Sequence, residues 1–197
     1  KFGPVQNSLR PVKGQGISIS ILISIYLDDD DQEWHDPVKI SFFGHQGRVN
    51  DIQCSPFERN VFLSSGSDQE IRIYSLLHPY APIHVIPLED TSAASLAWSW
   101  TRPLVFAAGC HNHKLKLFDL RAAKNISKAT TLAQELKASE KLIPFPLTSV
   151  SFSAKNPGLI CTGDAFGRVH IWKLTPTYFS KNPDENKILA TIGLHNE

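Results

Sequence analysis

The segment Ile52-Gln53-Cys54-Ser55-Pro56-Phe57-Glu58-Arg59-Asn60-Val61-Phe62-Leu63-Ser64-Ser65-Gly66-Ser67-Asp68-Gln69-Glu70-Ile71-Arg72-Ile73-Tyr74 decides the fold, because its internal spacing recurs twice further along the chain. With Ser55 as the origin, Ser99 and Ser153 hold the same place in two later copies. An aromatic stands nineteen residues after each serine: Tyr74, Phe118 and Trp172. Three residues before it stand Ile52, Leu96 and Val150, and immediately before it Cys54, Trp98 and Phe152. Seven after it come Phe62, Phe106 and Ile160; ten after it come the small residues Ser65, Gly109 and Gly163. Sixteen and eighteen after it come Ile71/Ile73, Leu115/Leu117 and Val169/Ile171, alternating with Arg72, Lys116 and His170. Such alternation is the period-2 signature of a half-buried strand. The copies lie 44 and 54 residues apart, yet the internal offsets do not change. One match of this kind is chance; seven in register across three copies are not.

Each copy (48–76, 91–120 and 146–174) reads as strand, turn, strand, tight turn, strand, with turn signals such as Pro56 to Asn60 and Ser67 to Glu70. A single small antiparallel sheet cannot bury both its faces. Units of this length are therefore expected to stack radially as the blades of a β-propeller. A small residue in the middle strand lets neighbouring sheets approach, and the apolar pairs at sixteen and eighteen fill the space between them. A fourth strand per unit is expected at 82–88 and, unless that stretch is helical, at 129–136. The polar, Ala/Lys-rich connection 121–145 reads as an insertion on one rim. The expected fold is all-β: a partial propeller of about three blades plus part of a fourth at 37–174, with an unassigned segment at 1–36 and a tail at 175–197.

Composition narrows the function classes. The chain has 197 residues, 20 Lys+Arg against 19 Asp+Glu, and a formal net charge of +1. That is no field to gather nucleic acid or anionic lipid, so neither is an expected partner. Hydrophobic residues at 42% suffice for a core. Three separated cysteines, Cys54, Cys110 and Cys161, argue for thiols in a reducing compartment rather than a disulfide framework. The apolar run 17–27 is interrupted by serines and falls well short of the roughly 20 residues a bilayer span needs. It is followed directly by Asp28 to Asp31 and lacks a small-residue cleavage site, so it is no signal peptide either. With no Met and Lys1 at its start, the sequence reads as part of a longer product.

Gly44-His45 followed by Ser65, Asp68 and Tyr74 resembles a degenerate WD repeat with Tyr74 in the usual Trp place, and Phe118-Asp119 and Trp172-Lys173 each keep half of the WD dipeptide. The resemblance implies a buried hydrogen-bond chain of His, Ser/Thr, Asp and the aromatic that stiffens the blade. Only the first copy could form most of it, since the second has Asn112 and the third Phe166 in the Asp place. The string Cys54-Ser55-Pro56-Phe57, Arg59-Asn60, Phe62-Leu63-Ser64, then Arg102 to Ala108, Leu117 to Leu120 and Gly163 to Val169, is similar to the C-terminal blades of dynein intermediate chains, nearest to those of the ciliary dynein of retrograde intraflagellar transport. This resemblance covers 37–174. It implies a non-catalytic subunit whose propeller binds the dynein heavy chain, whose light chains attach through a segment missing here, and whose place is the cytoplasm, cytoskeleton and cilium. It also implies a seven-bladed ring, of which three blades alone would leave open edges and fold poorly. The other reading is a generic WD-repeat scaffold in a different complex, since fold does not fix function.

No residue pattern supports catalysis, a cofactor or a metal. Cys110-His111-Asn112-His113 lacks the spacing of a structural zinc site and reads as a turn with solvated histidines. Asp28 to Asp31 do not alternate as an EF-hand loop does, and Gly14-x-Gly16 lacks a third glycine and precedes a strand-like run. Asn125-Ile126-Ser127 fits a glycosylation sequon, which the cysteine usage argues against. The surface left for partners is the rims. The turns carrying Phe57 and Arg59, and Trp100 and Arg102, fall at equivalent places of neighbouring blades and would share one rim. Aromatics and arginines are the types enriched at interface hot spots. The plainer alternative is that both aromatics tuck against their own blades and the arginines are merely solvated.

Overall fold

A computed structural model of the chain describes residues 17–22, 38–122, 132–136 and 145–194. Its strands run β1 (Ile17–Leu22), β2 (Val38–His45), β3 (Val49–Cys54), β4 (Val61–Gly66), β5 (Glu70–Ser75), β6 (His84–Pro87), β7 (Ala93–Trp98), β8 (Val105–Cys110), β9 (Leu115–Asp119), β10 (Leu132–Leu136), β11 (Leu147–Phe152), β12 (Leu159–Asp164) and β13 (Val169–Lys173), followed by helix α1 (Glu185–Gly193). They form antiparallel sheets β3-β4-β5-β6, β10-β9-β8-β7 and β11-β12-β13, and a two-stranded sheet β1-β2. These are three blades and part of another, as the spacing implies. Both expected fourth strands are present, and β10 is a strand rather than a helix. Strand β1 lies in the segment left unassigned by sequence. Its alternating Ile and Ser residues pair antiparallel with β2.

The common ruler is physical. Ser55, Ser99 and Ser153 each end the first strand of their blade. Each donates its N–H to the carbonyl six residues on, of Val61, Val105 and Leu159, at 2.9, 3.0 and 3.1 Å. The carbonyl three after each serine, of Glu58, Arg102 and Asn156, accepts the N–H of that same sixth residue at 3.1, 3.2 and 3.1 Å. Each serine hydroxyl accepts amides of the turn: Phe57 and Glu58, Thr101 and Arg102, and Asn156. Such local side-chain bonds are why serine favours turns. The cross-strand rows repeat too: Cys54–Phe62–Tyr74, Trp98–Phe106–Phe118 and Phe152–Ile160–Trp172. A bulge falls at the same offset in all three first strands, after Val49, Ala93 and Leu147. Three sequences with different side chains thus fold as rotated equivalents.

The core lies between blades. Leu63, Ile71 and Ile73 of the first blade, all buried, pack with Leu96, Trp98, Phe106 and Ala108 of the second. Ala107, Leu115 and Leu117 of the second pack with Leu147, Phe152, Ile160, Val150 and Trp172 of the third. Phe42 of β2 packs edge-on against the stacked pair Phe62 and Tyr74. The small residue expected in the middle strand has its reason at Gly109, where an added Cβ would already touch Leu147 of the next blade at 3.4 Å.

The tail is not a loose end. From β13 the chain passes through a 3-10 turn (Pro176–Tyr178), where Tyr178 and Phe179 pack beneath the second and third blades. Helix α1 then returns to the first and second blades, burying Leu189 and Ile192 among Val61, Leu63, Ile73 and Leu120. The Ser75 hydroxyl donates to the Gly193 carbonyl at 2.7 Å. Residues 175–194 therefore form a strap in contact with all three blades.

Candidate protein-interaction site

The rim turns predicted as partner contacts meet the strap. Phe57 and Trp100 stay 37% and 55% exposed, and they line one groove with Thr101, Pro103, Lys181, Asn182, Pro183 and Asn186, about 300 Å³ in volume. The serine-centred turns place both aromatics on the same rim, and the start of α1 supplies the opposite wall. The Thr101 hydroxyl in this groove is buried with no hydrogen-bond partner among the described residues. An aromatic floor with a few polar groups is what a docking cleft for protein requires. Arg59 is exposed on the turn that carries Phe57.

Arg102 is a correction. It is 1% exposed and its guanidinium is consumed within the chain: its Nε contacts both Glu185 carboxylate oxygens at 2.8 and 2.7 Å, NH1 donates to the Thr177 carbonyl, and NH2 contacts Glu185 and, at 3.3 Å, Asp119. Arg121 joins from the other side, 3.2 Å from Glu185 and bonded to Asp119. Burial on its own would raise the Asp119 carboxyl, but the Arg121 and Arg102 bonds outweigh it and hold the group below its ordinary value. Glu185, 0% exposed, is the residue sequence reasoning missed. It lies 83 residues from Arg102, and no local pattern marks it.

The residues of the WD-like network are brought together in the first blade, with one change of partner. His45 Nδ1 meets the Asp68 carboxylate at 2.8 and 3.0 Å, and Nε2 meets the hydroxyl of Ser64, not Ser65, at 2.7 Å. Ser65 is buried but its hydroxyl has no partner among the described residues. Gln46 donates its N–H to Asp68 at 2.9 Å. The Tyr74 hydroxyl also interacts with the Ser64 side chain. It donates to the Phe43 carbonyl at 2.7 Å, tying the blade to β2, while Arg72 spans the Gly44 carbonyl, Asp68 and Glu70. Burial pulls the His45 imidazole below its ordinary value despite Asp68 beside it, so near neutral pH an uncharged imidazole donates to the Asp68 carboxylate and the two are not an ion pair. Burial opposes ionisation of Asp68, but the Gln46 N–H, His45 and Arg72 win and lower it. Among the described residues, His45, Asp68 and Glu70 are also the group close enough to chelate an ion. One or more acceptor atoms of each are engaged within the blade, by Ser64, Gln46 and Arg72 respectively.

The other blades rebuild this network from different parts. In the second, Phe118 stacks on Phe106 with centroids 4.9 Å apart, and Asn112 reaches Asp90 at 2.9 Å in place of an Asp–His pair. Lys116 shares that carboxylate, and its bond chiefly holds Asp90 below the ordinary range. In the third, the Trp172 indole donates to Thr162 at 2.9 Å, the position equivalent to Ser64. Asp164 accepts from His170 at 3.2 Å. The Cys110 to His113 segment is a turn, but its groups diverge: Cys110 is buried in the core, His111 pairs with Ser92, and His113 takes a left-handed φ of 67°. The acidic run at 28–31, the glycines at 14 and 16, and the sequon at 125–127 lie outside the described residues. No helix among the described residues is long and apolar enough to cross a membrane.

Comparison with known proteins agrees with this architecture. The family model "WD domain, G-beta repeat" matches residues 36–75. The chain is 33% identical over 157 residues to cytoplasmic dynein 2 intermediate chain 2 of Homo sapiens, covering 80% of this chain and 28% of that protein. The Mus musculus counterpart is 34% identical over 149 residues, 76% of this chain and 26% of the relative. Dynein intermediate chain 2, ciliary, of Heliocidaris crassispina is 25% identical over 147 residues, 75% of this chain and 20% of the relative. The chain thus spans little more than a quarter of the length of the relatives it matches best among these. Residues 36–75 are thus a WD repeat within what is in build part of a β-propeller, and the chain is similar over most of its length to dynein intermediate chains.

Proposed function

We propose that the chain is a non-catalytic subunit of a dynein complex, an intermediate chain whose blades bind the dynein heavy chain in microtubule-based, retrograde intraflagellar transport. The observation that carries this is the similarity to cytoplasmic dynein 2 intermediate chains, which covers about four-fifths of the chain. Its place would be the cytoplasm, cytoskeleton and cilium, with light chains held by a region N-terminal to the blades. The groove formed by Phe57, Trp100 and Thr101 against Pro183 and Asn186 is the contact surface we assign to the heavy chain, with Arg59 contributing from the same turn. Arg102 acts indirectly there, by fastening the strap that forms the far wall. Co-purification with a heavy-chain tail fragment tests the reading. A stable complex, weakened by Trp100→Ala, is expected; no complex, with both partners folded, refutes it.

A further inference from the structure

The first and second blades part around a polar cleft of about 310 Å³, lined by Arg48, Val49, Asn50, Ala94 and His111. Arg48 precedes β3, whose far end leads into the Ser55 turn, so this cleft and the aromatic groove open on different rims. The fold holds each polar side chain in it. Asn50 Nδ2 donates to the Ala93 carbonyl at 2.8 Å, bridging the blades, while Asn50 Oδ1 accepts from Arg48 Nε at 3.3 Å. The Arg48 backbone is fixed as well: its N–H donates to the Ser67 hydroxyl and its carbonyl accepts the Ser67 N–H, both at 2.8 Å. That leaves Nη1 and Nη2 of Arg48, the pair that forks onto a carboxylate or phosphoryl group. His111 Nδ1 lies 3.0 Å from the Ser92 carbonyl, a contact that requires a proton on that nitrogen and leaves Nε2 for a ligand.

Two comparisons within the chain show that the architecture does not need these side chains. The junction of the second and third blades carries Ser92, Ala94 and Ala165 at the offsets of Arg48, Asn50 and His111, and the blades pack there without a cation. Arg72, Arg102 and Arg121 each meet a carboxylate within the chain. Among the described residues, Arg48 meets none, and no acidic residue lines the cleft. Arg48 and His111 are both exposed, so a ligand can reach them.

We propose that this cleft holds one oxyanion-bearing side chain, glutamate or phosphoserine, of an extended protein segment, gripped by Nη1 and Nη2 of Arg48 with His111 Nε2 beside it. The volume lies at the low end for ligand pockets and admits one such side chain with its flanking backbone. A chain of net charge +1 exerts no general pull on polyanions, so recognition comes from the local pair rather than from a field. Asn50 acts as a positioning residue, aiming the guanidinium from across the junction.

Arginine labelling by phenylglyoxal and imidazole labelling by diethyl pyrocarbonate, each located by mass spectrometry, test this on the protein isolated whole from its source. The probes are peptides in which glutamate, phosphoserine or glutamine stands between glycines. The glutamate peptide, the phosphoserine peptide or both are expected to slow labelling of Arg48 and His111 saturably. The glutamine peptide should protect neither residue, and Arg59 on the other rim should label at an unchanged rate. Whichever anionic peptide acts at the lower concentration identifies the source of the oxyanion. In Arg48→Gln, protection of His111 should need about five-fold more peptide, the worth of one exposed charge pair, and Arg48→Lys should restore part of the loss. Protection by neither anionic peptide, equal protection of Arg59, or protection of His111 undiminished in Arg48→Gln overturns the proposal.

Discussion

Glu185→Gln is the most informative single change. It preserves shape and removes the charge that meets the buried Arg102 guanidinium. Breaking a buried ion pair by deleting one partner costs about 3–5 kcal/mol, because the other charge is left without compensation. Here Arg102 keeps Asp119 at 3.3 Å and the Thr177 carbonyl, so the low end, about 3 kcal/mol, is expected. Arg102→Met should cost a similar amount, since Glu185 would retain Arg121 at 3.2 Å. The double variant, Arg102→Met with Glu185→Leu, should recover most of that loss, because a well-packed apolar pair is often as stable as the ions it replaces. Hydrogen exchange over residues 176–194 measures the effect directly as release of the strap, with urea unfolding of the whole chain alongside. Additive single and double variants, or exchange at α1 unchanged in Glu185→Gln, would refute the claim that this pair fastens the strap.

Other expectations follow from the same geometry. Tyr74→Phe removes the bond to the Phe43 carbonyl and should cost about 1 kcal/mol by urea unfolding, loosening β2 before the rest. Gly66→Ala should cost about 1–3 kcal/mol, since its Cβ would sit 2.3 Å from Asp68 and 2.4 Å from His45. Because His45 is held neutral, the unfolded chain binds a proton that the folded chain refuses. Stability should therefore fall as pH drops below about 6.5 toward the lowered folded value, and His45→Gln should flatten that slope in thermal melts. Asp68 works in the same direction in a lower window, its contribution lost as pH falls from the ordinary carboxylate value of about 3.9 down through its depressed folded value. Phe57→Ala and Trp100→Ala should each weaken capture of a heavy-chain tail by about ten-fold while moving stability by less than about 0.5 kcal/mol.

The repeat was legible because strand geometry converts position into facing. The offsets of Ile71, Leu115 and Val169 report which side of a sheet they occupy, whatever their identity. The same logic resolves the one misplaced hydroxyl. Ser64 and Ser65 are adjacent, and strand alternation turns only one of them toward His45; composition could not choose between two serines. Arg102 was visible as an arginine on a rim turn, but its burial depends on Glu185, which the strap brings back from 83 residues and six strands away. The substitution of Asp90 for a histidine in the second blade was equally hidden, because it serves Asn112 and Lys116 from a neighbouring loop rather than from the expected position.

The strap also sets how force enters the molecule. A pull on residues after Leu194 acts first on α1, which is moored to the first two blades through Ser75 and Arg102, and not on β13, the nearest strand in sequence. Tension applied at the C-terminal end would therefore shear a helix off two sheets before it could unzip the third, and the last blade would be shielded from the load that its own polypeptide carries.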